Sequence, residues 1–298
     1  MFGFSKTVIG IDVGACFLRA VKVRFERSGR PVVDGYAEKA LPEDILHLSY
    51  TKENILDMKR FKELLRLTLD TAGAGESGLA LSIPDQVVKV SFIDLKGVPR
   101  KRDDVLNFIK WKSKKFLPYD PETAKIDYQM MGNGDIAMAV FVNAVVVADY
   151  EEALRGLSLR PRVISTPSMS LYNLFSTRFG DSKEFAFISV RDDSFAVIIM
   201  KGGVLDFYRS TDTGLSDERL MQEIASTIMF YLSENQDANI GKIFLHSVSA
   251  EDEGLRVGLS EATGLDIESL KLAETVDFQK GVHIEPYCAA VGVTLSIV

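Results

Sequence analysis

Val8-Ile9-Gly10-Ile11-Asp12-Val13-Gly14-Ala15 reads as an apolar strand that ends in Asp-x-Gly. Such an ending brings a carboxylate and a close-approach backbone loop to one point. Gly14 can take a positive φ and carry its N–H close to a ligand. Successive amides of such a loop form an anion-binding concavity, and Asp12 can reach a Mg ion through water. Taken alone, Asp-x-Gly after a strand is more often an ordinary turn, so the surrounding chain has to decide. Next, Leu18, Ala20 and Lys22 fall on one side of a period-two pattern and Val21, Val23 and Phe25 on the other. Ser28-Gly29 supplies a turn before the extended stretch 31–37, so residues 7–37 read as a three-stranded antiparallel meander.

The pattern returns. Residues 185–190, a polar break at Arg191-Asp192-Asp193, residues 194–200, a Lys201-Gly202-Gly203 turn and residues 204–210 form a second meander. Two meanders, each followed by helical and strand segments, predict a duplicated α/β domain with a cleft between its halves, where ligands tend to sit.

Composition fits that plan. The 298 residues are 46% hydrophobic, enough for two cores. The longest apolar stretch, 136–148, is broken by Asn143 and is shorter than the roughly 20 residues a membrane-spanning helix needs. Lys6 alone precedes Asp12, which does not match a secretory signal. Cys16 and Cys288 sit far apart in apolar surroundings, so both are expected as buried free thiols in a reducing cytoplasm. A net charge of −7 argues against nucleic acid as a partner of the whole chain.

Between the meanders, residues 54–72 carry apolar residues at helical spacing and stop at Gly73, as an amphipathic helix with a glycine cap does. The stretch Gly73-Ala74-Gly75-Glu76-Ser77-Gly78 is rich in glycine. No Lys-Ser or Lys-Thr pair follows, and a strand rather than a helix comes next, so it is read as the entry to an insert, not as a phosphate loop. The insert, about 79–147, is expected to hold strands at 79–83 and 87–94, a helix from 102 to 116, and strands around 126–131 and 136–147. A helix over 148–157 leads out of it. Ser165-Thr166-Pro167 then has the cap and proline of a helix start.

The catalytic inventory is thin. His47, His246 and His283 show no metal-ligand spacing and no arrangement with a nucleophile. Glu151-Glu152 and Glu251-Asp252-Glu253 lie in polar segments and read as solvated faces.

Ile9-Gly10-Ile11-Asp12-Val13-Gly14, followed by Leu18-Arg19-Ala20-Val21, resembles the opening of the PilM family, actin-like proteins of type IV pilus assembly. Leu81-Ser82-Ile83-Pro84, Trp111 with Phe116-Leu117-Pro118-Tyr119, and Ile126-Asp127-Tyr128-Gln129 are similar to the subdomain that PilM shares with the cell-division protein FtsA. Phe207-Tyr208-Arg209-Ser210 with Gly214, then 220–232 and 286–295, are similar to its later elements. The resemblance implies an actin-like α/β fold of two ribonuclease-H-like halves, 1–180 and 181–298. The first half would carry an inserted α+β subdomain; the second would be trimmed and end in a helix over about 286–296. It also implies a cleft for ATP and Mg, residence in the cytoplasm at the inner face of the bacterial inner membrane, and a groove for the cytoplasmic tail of a PilN-like inner-membrane protein, alongside other pilus assembly proteins.

This chain departs from that pattern at the nucleotide. Where the family has a second Asp-x-Gly loop, it reads Ile188-Ser189-Val190-Arg191, and an arginine takes space a phosphate needs. Leu245-His246-Ser247-Val248-Ser249 stands where an adenosine-binding Gly-Gly turn is expected, and the helical stretch between Gly214 and 220 is largely missing. Ala15-Cys16 and Arg19 also depart from the first loop's usual residues. Residual nucleotide contacts would fall to Asp12, Gly14, Ala15, Arg19, Ser189 and Arg191, with Asp12 holding any Mg through water. The expected function is an assembly scaffold with a degenerate nucleotide site. The rivals are an active actin-like ATPase of the same machinery and an FtsA-like division protein, whose linker and amphipathic helix have no counterpart before Val298. A sugar-kinase-like enzyme has no second acid to serve as its base. The tail is expected between the insert and the first meander, against Val87, Val88, Val90 and Phe92. A basic cluster, Arg100, Lys101, Arg102, Lys110, Lys112, Lys114 and Lys115, is either a solvated helix face or a peripheral contact for anionic lipid.

Overall fold

In the computed structural model, residues 6–27, 29–75, 77–212, 214, 217–249, 252–279 and 282–297 are described. Ser28 of the first hairpin turn, Glu76, Glu251 and Val298 lie outside the described residues. β1 (Lys6–Val13), β2 (Phe17–Phe25) and β3 (Val32–Ala40) form the first antiparallel meander, with Asp12 opposite Arg19. α1 (Met58–Thr71) leads to β4 (Gly78–Ser82), which lies parallel beside β1. β5 (Val88–Asp94), α2 (Arg102–Ser113), β6 (Ala124–Met131) and β7 (Ile136–Asn143) build a separate antiparallel sheet of order β5-β7-β6 with α2 on one face. α3 (Ala144–Arg155) brings the chain back to β8 (Val163–Ser165), parallel beside β4.

α4 (Pro167–Phe175) passes to the second half, where β9 (Phe185–Val190), β10 (Ser194–Lys201) and β11 (Val204–Asp212) repeat the meander. α5 (Asp217–Glu234), β12 (Lys242–Ser247), α6 (Glu253–Thr263) and β13 (Asp266–Ser269) follow, and α7 (Cys288–Thr294) closes the fold. The orders β3-β2-β1-β4-β8 and β11-β10-β9-β12-β13 are the same topology twice, three antiparallel strands and then two parallel additions. Among the described residues, no helix is long and apolar enough to cross a membrane.

Four expectations change, each for a local reason. The insert begins at Val88, not at 79: Leu79, Ala80 and Leu81 are all buried, as a strand covered on both faces must be, and they fill the first sheet. The strand expected over 136–147 stops at Asn143, whose side chain accepts the Val145 N–H and caps α3. That cap outweighs the β-branched run Val145-Val146-Val147. α1 starts at Met58 because Asp57 accepts the Arg60 N–H, while the Asn54 and Ile55 N–H groups both donate to the Asp149 carboxylate at 2.7 Å. Cys16 is exposed in the β1–β2 turn, and only Cys288 is buried.

The halves share a core in which α7 packs against β1 and α4. A Cβ on Gly10 would stand 1.8 Å from the Ala290 carbonyl oxygen, and one on Gly292 would stand 2.3 Å from that of Ser170. Both obstacles are backbone, so neither can swing aside. Gly10→Ala and Gly292→Ala should each cost about 1–3 kcal/mol of stability, measurable as a lower midpoint in urea unfolding. Unchanged midpoints would mean that α7 does not sit this close.

Candidate functional site

The β1–β2 and β9–β10 hairpins hold equivalent places in the two halves, and their tips meet. Asp12, fully buried at the end of β1, accepts from Arg191 Nη2 at 2.9 Å across the junction. Arg191 is buried too. Burial alone would favour a neutral guanidinium, but the charges of Asp12 and Asp193 outweigh it and hold the group protonated above its ordinary value. Asp193 lies beside Arg191, its Oδ1 3.8 Å from Nε, while its Oδ2 accepts the Ala15 N–H at 2.5 Å. Arg19 donates from Nε to Glu38 and from Nη2 to Asp192, each at 2.6 Å. Asp12 Oδ1 has no hydrogen-bond partner among the described residues.

This geometry tests whether the residues fit Mg and a phosphate. A cation beside Asp12 would meet the Arg191 guanidinium. A phosphate on the Ala15 amide would meet the Asp193 carboxylate, and a Cβ on Gly14 would already stand 2.9 Å from Asp193 Oδ2. An internal cation and an internal anion occupy both positions, so the residues present do not fit the pair. Further along, Val190, Leu220, Ser247, Ser249 and Leu255 line a hollow of about 330 Å³ between the ends of β9 and β12 and the starts of α5 and α6, with Glu218 and Asp252 also on its wall. Those carboxylates make it a poor seat for an anion.

Of the nucleotide candidates, the structure brings together Asp12, Gly14, Ala15, Arg19 and Arg191. Ser189 lies buried inside β9, opposite Ala196 and beside His246. Asp192 and Asp193 read as a turn in sequence, and nothing local to Glu38 marks its role. The signal for the aspartates is an acidic pair directly after the arginine, in the loop equivalent to Asp-x-Gly. Nor does anything local mark Asp85, whose carboxylate accepts from Ser168 Oγ at 2.5 Å and from the Tyr208 hydroxyl at 3.0 Å, tying the first half to β11. Burial pushes the Asp85 carboxyl above its ordinary range, against the hydrogen bonds that favour its charge.

A second feature is a groove of about 470 Å³ between the insert sheet and the rest of the first half. Val88 and Val90 of β5 line it with Val140 and Val142, which face them across β7. Ile164 and Met169 form the opposite wall, and Lys125, Asp127 and Glu151 add charge. The groove lies at the β8 end of the first sheet, whereas the expectation put it beside the meander. Val87 is fully buried in the first-half core, and Phe92 lines a different hollow near Val204. In the basic cluster, Arg100 pairs with Asp135 and Lys110 with Glu122. Lys112 sits 5.4 Å from the ring centres of both Phe108 and Trp111, while Lys114 and Lys115 are exposed.

No protein-family model matches the sequence, and no curated protein does. Solved structures match nearly the whole chain. A PilM–PilN type IV pilus biogenesis complex aligns with a TM-score of 0.80 at 16% identity, over 97% of this chain and 98% of the other. A Bacteroides thetaiotaomicron protein of actin-like ATPase fold aligns at 0.58 and 12%, over 96% of each chain. The cytoplasmic domain of EpsL, an inner-membrane component of the Vibrio cholerae type II secretion system, aligns at 0.55 and 9%, over 98% and 95%. At these identities the likeness is one of fold, and the chain has the actin-like fold with a three-stranded insert in its first half.

Proposed function

We propose that this chain is an assembly scaffold of a type IV pilus or related secretion machine, and that it holds the extended cytoplasmic tail of a PilN-like inner-membrane protein in the groove beside the insert. The observation that carries this reading is the groove itself, an apolar trough in a fold that aligns at 0.80 with a PilM–PilN complex. β8 closes one end of the first sheet and β6 one edge of the insert sheet, and residues of both line the trough. Two strand edges flanking an apolar floor suit a peptide that pairs through its backbone and buries alternate side chains. A synthetic tail peptide should bind the purified chain with no nucleotide added. A requirement for ATP would favour the rival reading, an active actin-like ATPase.

On this reading the scaffold works in the cytoplasm at the inner face of the inner membrane, and α2 offers a surface for the lipid. Trp111, the chain's single tryptophan, is 55% exposed there. Between residues 94 and 115 eight basic residues face three acidic ones, in a chain of net charge −7. Tryptophan favours the headgroup level, and lysines there gain from anionic lipid. Vesicles rich in phosphatidylglycerol at low salt should shift the Trp111 emission to the blue, and zwitterionic vesicles should not. Lys112→Glu with Lys115→Glu should weaken the effect about tenfold or more. An unshifted spectrum would leave α2 as a solvated face.

A further inference from the structure

His246, Glu285 and Cys288 share no spacing that marks a metal motif, yet the fold gathers them. His246 lies near the end of β12 in the second half. Glu285 stands in the short turn before α7, and Cys288 is the first residue of that helix. One donor atom from each lies within 4.8 Å of the other two, and all three side chains are buried. His246 Nε2 stands 3.3 Å from Glu285 Oε2, and Cys288 Sγ stands 3.5 Å from the same oxygen. A tetrahedral zinc with bonds of about 2.0 Å to nitrogen and oxygen and about 2.3 Å to sulfur sets its donors roughly 3.3 Å (N···O) and 3.5 Å (O···S) apart.

From this geometry we infer that His246, Glu285 and Cys288 form a buried site for a divalent cation of the zinc class.

The unmet polar demand points the same way. His246 is 0% exposed, and neither imidazole nitrogen makes a well-formed hydrogen bond among the described residues. A metal bound at Nε2, the nitrogen 3.3 Å from Glu285, would give that nitrogen a full partner. Both Glu285 oxygens accept the Leu272 N–H, at 3.1 and 3.2 Å, which fixes the carboxylate as outer-shell bonds do around metals. Charge balances as well: one carboxylate and one thiolate neutralise a divalent cation. The nearby cations are committed elsewhere, Arg191 to Asp12 and Lys271 to Asp252. Burial lowers the His246 imidazole below its ordinary value despite the Glu285 carboxylate beside it. The Cys288 thiol holds its proton well above the ordinary range, through burial and the Glu285 charge. That proton leaves to solvent as the sulfur–metal bond forms, so binding tightens as pH rises. The donor set of one nitrogen, one oxygen and one sulfur favours zinc over magnesium or calcium, and leaves a fourth position for water. A metal here would tie β12 to α7, the helix packed on the first half.

The site shares no residue with the groove, so its test stands apart from the docking reading. The full-length chain, stripped with a chelator and titrated with Co²⁺, should take up one equivalent. It should show a sulfur-to-cobalt charge-transfer band in the near ultraviolet, and Zn²⁺ should displace it. Cys288→Ser should lose the band, Cys16→Ser should keep it, and His246→Gln should weaken binding at least about tenfold. Zn²⁺ should also raise the unfolding midpoint of the wild-type chain. The inference is overturned if the folded wild-type chain gives no such band, if the band vanishes with Cys16→Ser, or if it survives Cys288→Ser, which would mark adventitious surface binding.

Discussion

Arg191→Ala should lower the free energy of unfolding by about 3–5 kcal/mol, because it leaves Asp12 charged and buried with its partner gone. The size follows from the site's dryness: Asp12 is 0% exposed, Arg191 5%, and the bond between them 2.9 Å. An exposed ion pair of the same length is worth well under this, since water takes over when it breaks. The pair as a whole need not stabilise the fold, so Arg191→Met combined with Asp12→Leu should recover most of the loss. Urea unfolding of Arg191→Met, Asp12→Leu and the double variant completes the cycle. A small loss for Arg191→Ala, under about 1 kcal/mol, would place water or an open cleft at this point. The same arrangement forecasts how the wild-type chain meets nucleotide. Mg-ATP should give no binding heat beyond dilution, because Arg191 and Asp193 already stand where cation and phosphate would go. Micromolar binding with turnover that Asp12→Ala abolishes would defeat the scaffold reading and restore the ATPase.

Why the meeting of the two hairpin tips was only half visible in the chain follows from how each part is encoded. The two meanders were legible because period-two patterning and glycine turns are local, and each predicted strand reappears within a residue or two at 185–190, 194–201 and 204–212. Arg191 was legible as a departure from the Asp-x-Gly pattern. Its partnership with Asp12 was not, since the two lie 179 positions apart and only the docking of two hairpins joins them. Asp193 reads as a turn residue in any local window, and its role as an internal anion exists only once the Ala15 amide is opposite. The insert boundary moved for a related reason: 79–83 and 87–94 both read as strands in sequence, and only the parallel pairing with β1 assigns the first of them to the main sheet. His246, Glu285 and Cys288 are the extreme case, brought together by the return of α7 to the core.

Val90→Arg and Val140→Arg should each weaken capture of a PilN-like tail at least about a hundredfold, a loss of roughly 2.7 kcal/mol. Both valines are half-buried on the groove face of the insert sheet, opposite one another in register across β5 and β7. A guanidinium there either fills the trough or must be desolvated when the tail enters. Lys89→Glu is the matched control, since Lys89 is exposed and points from the other face of β5. It should change affinity less than about threefold, within the spread of a substitution outside the energetic centre. Point variants serve better than removal of 79–147, which would take β4 out of the middle of the first sheet and unfold the half being tested. Titration of a labelled tail peptide against variants with unchanged unfolding midpoints settles the matter. Equal affinity for wild type and both arginine variants would move the tail off this groove. Loss with Lys89→Glu alone would move it to the face that carries α2.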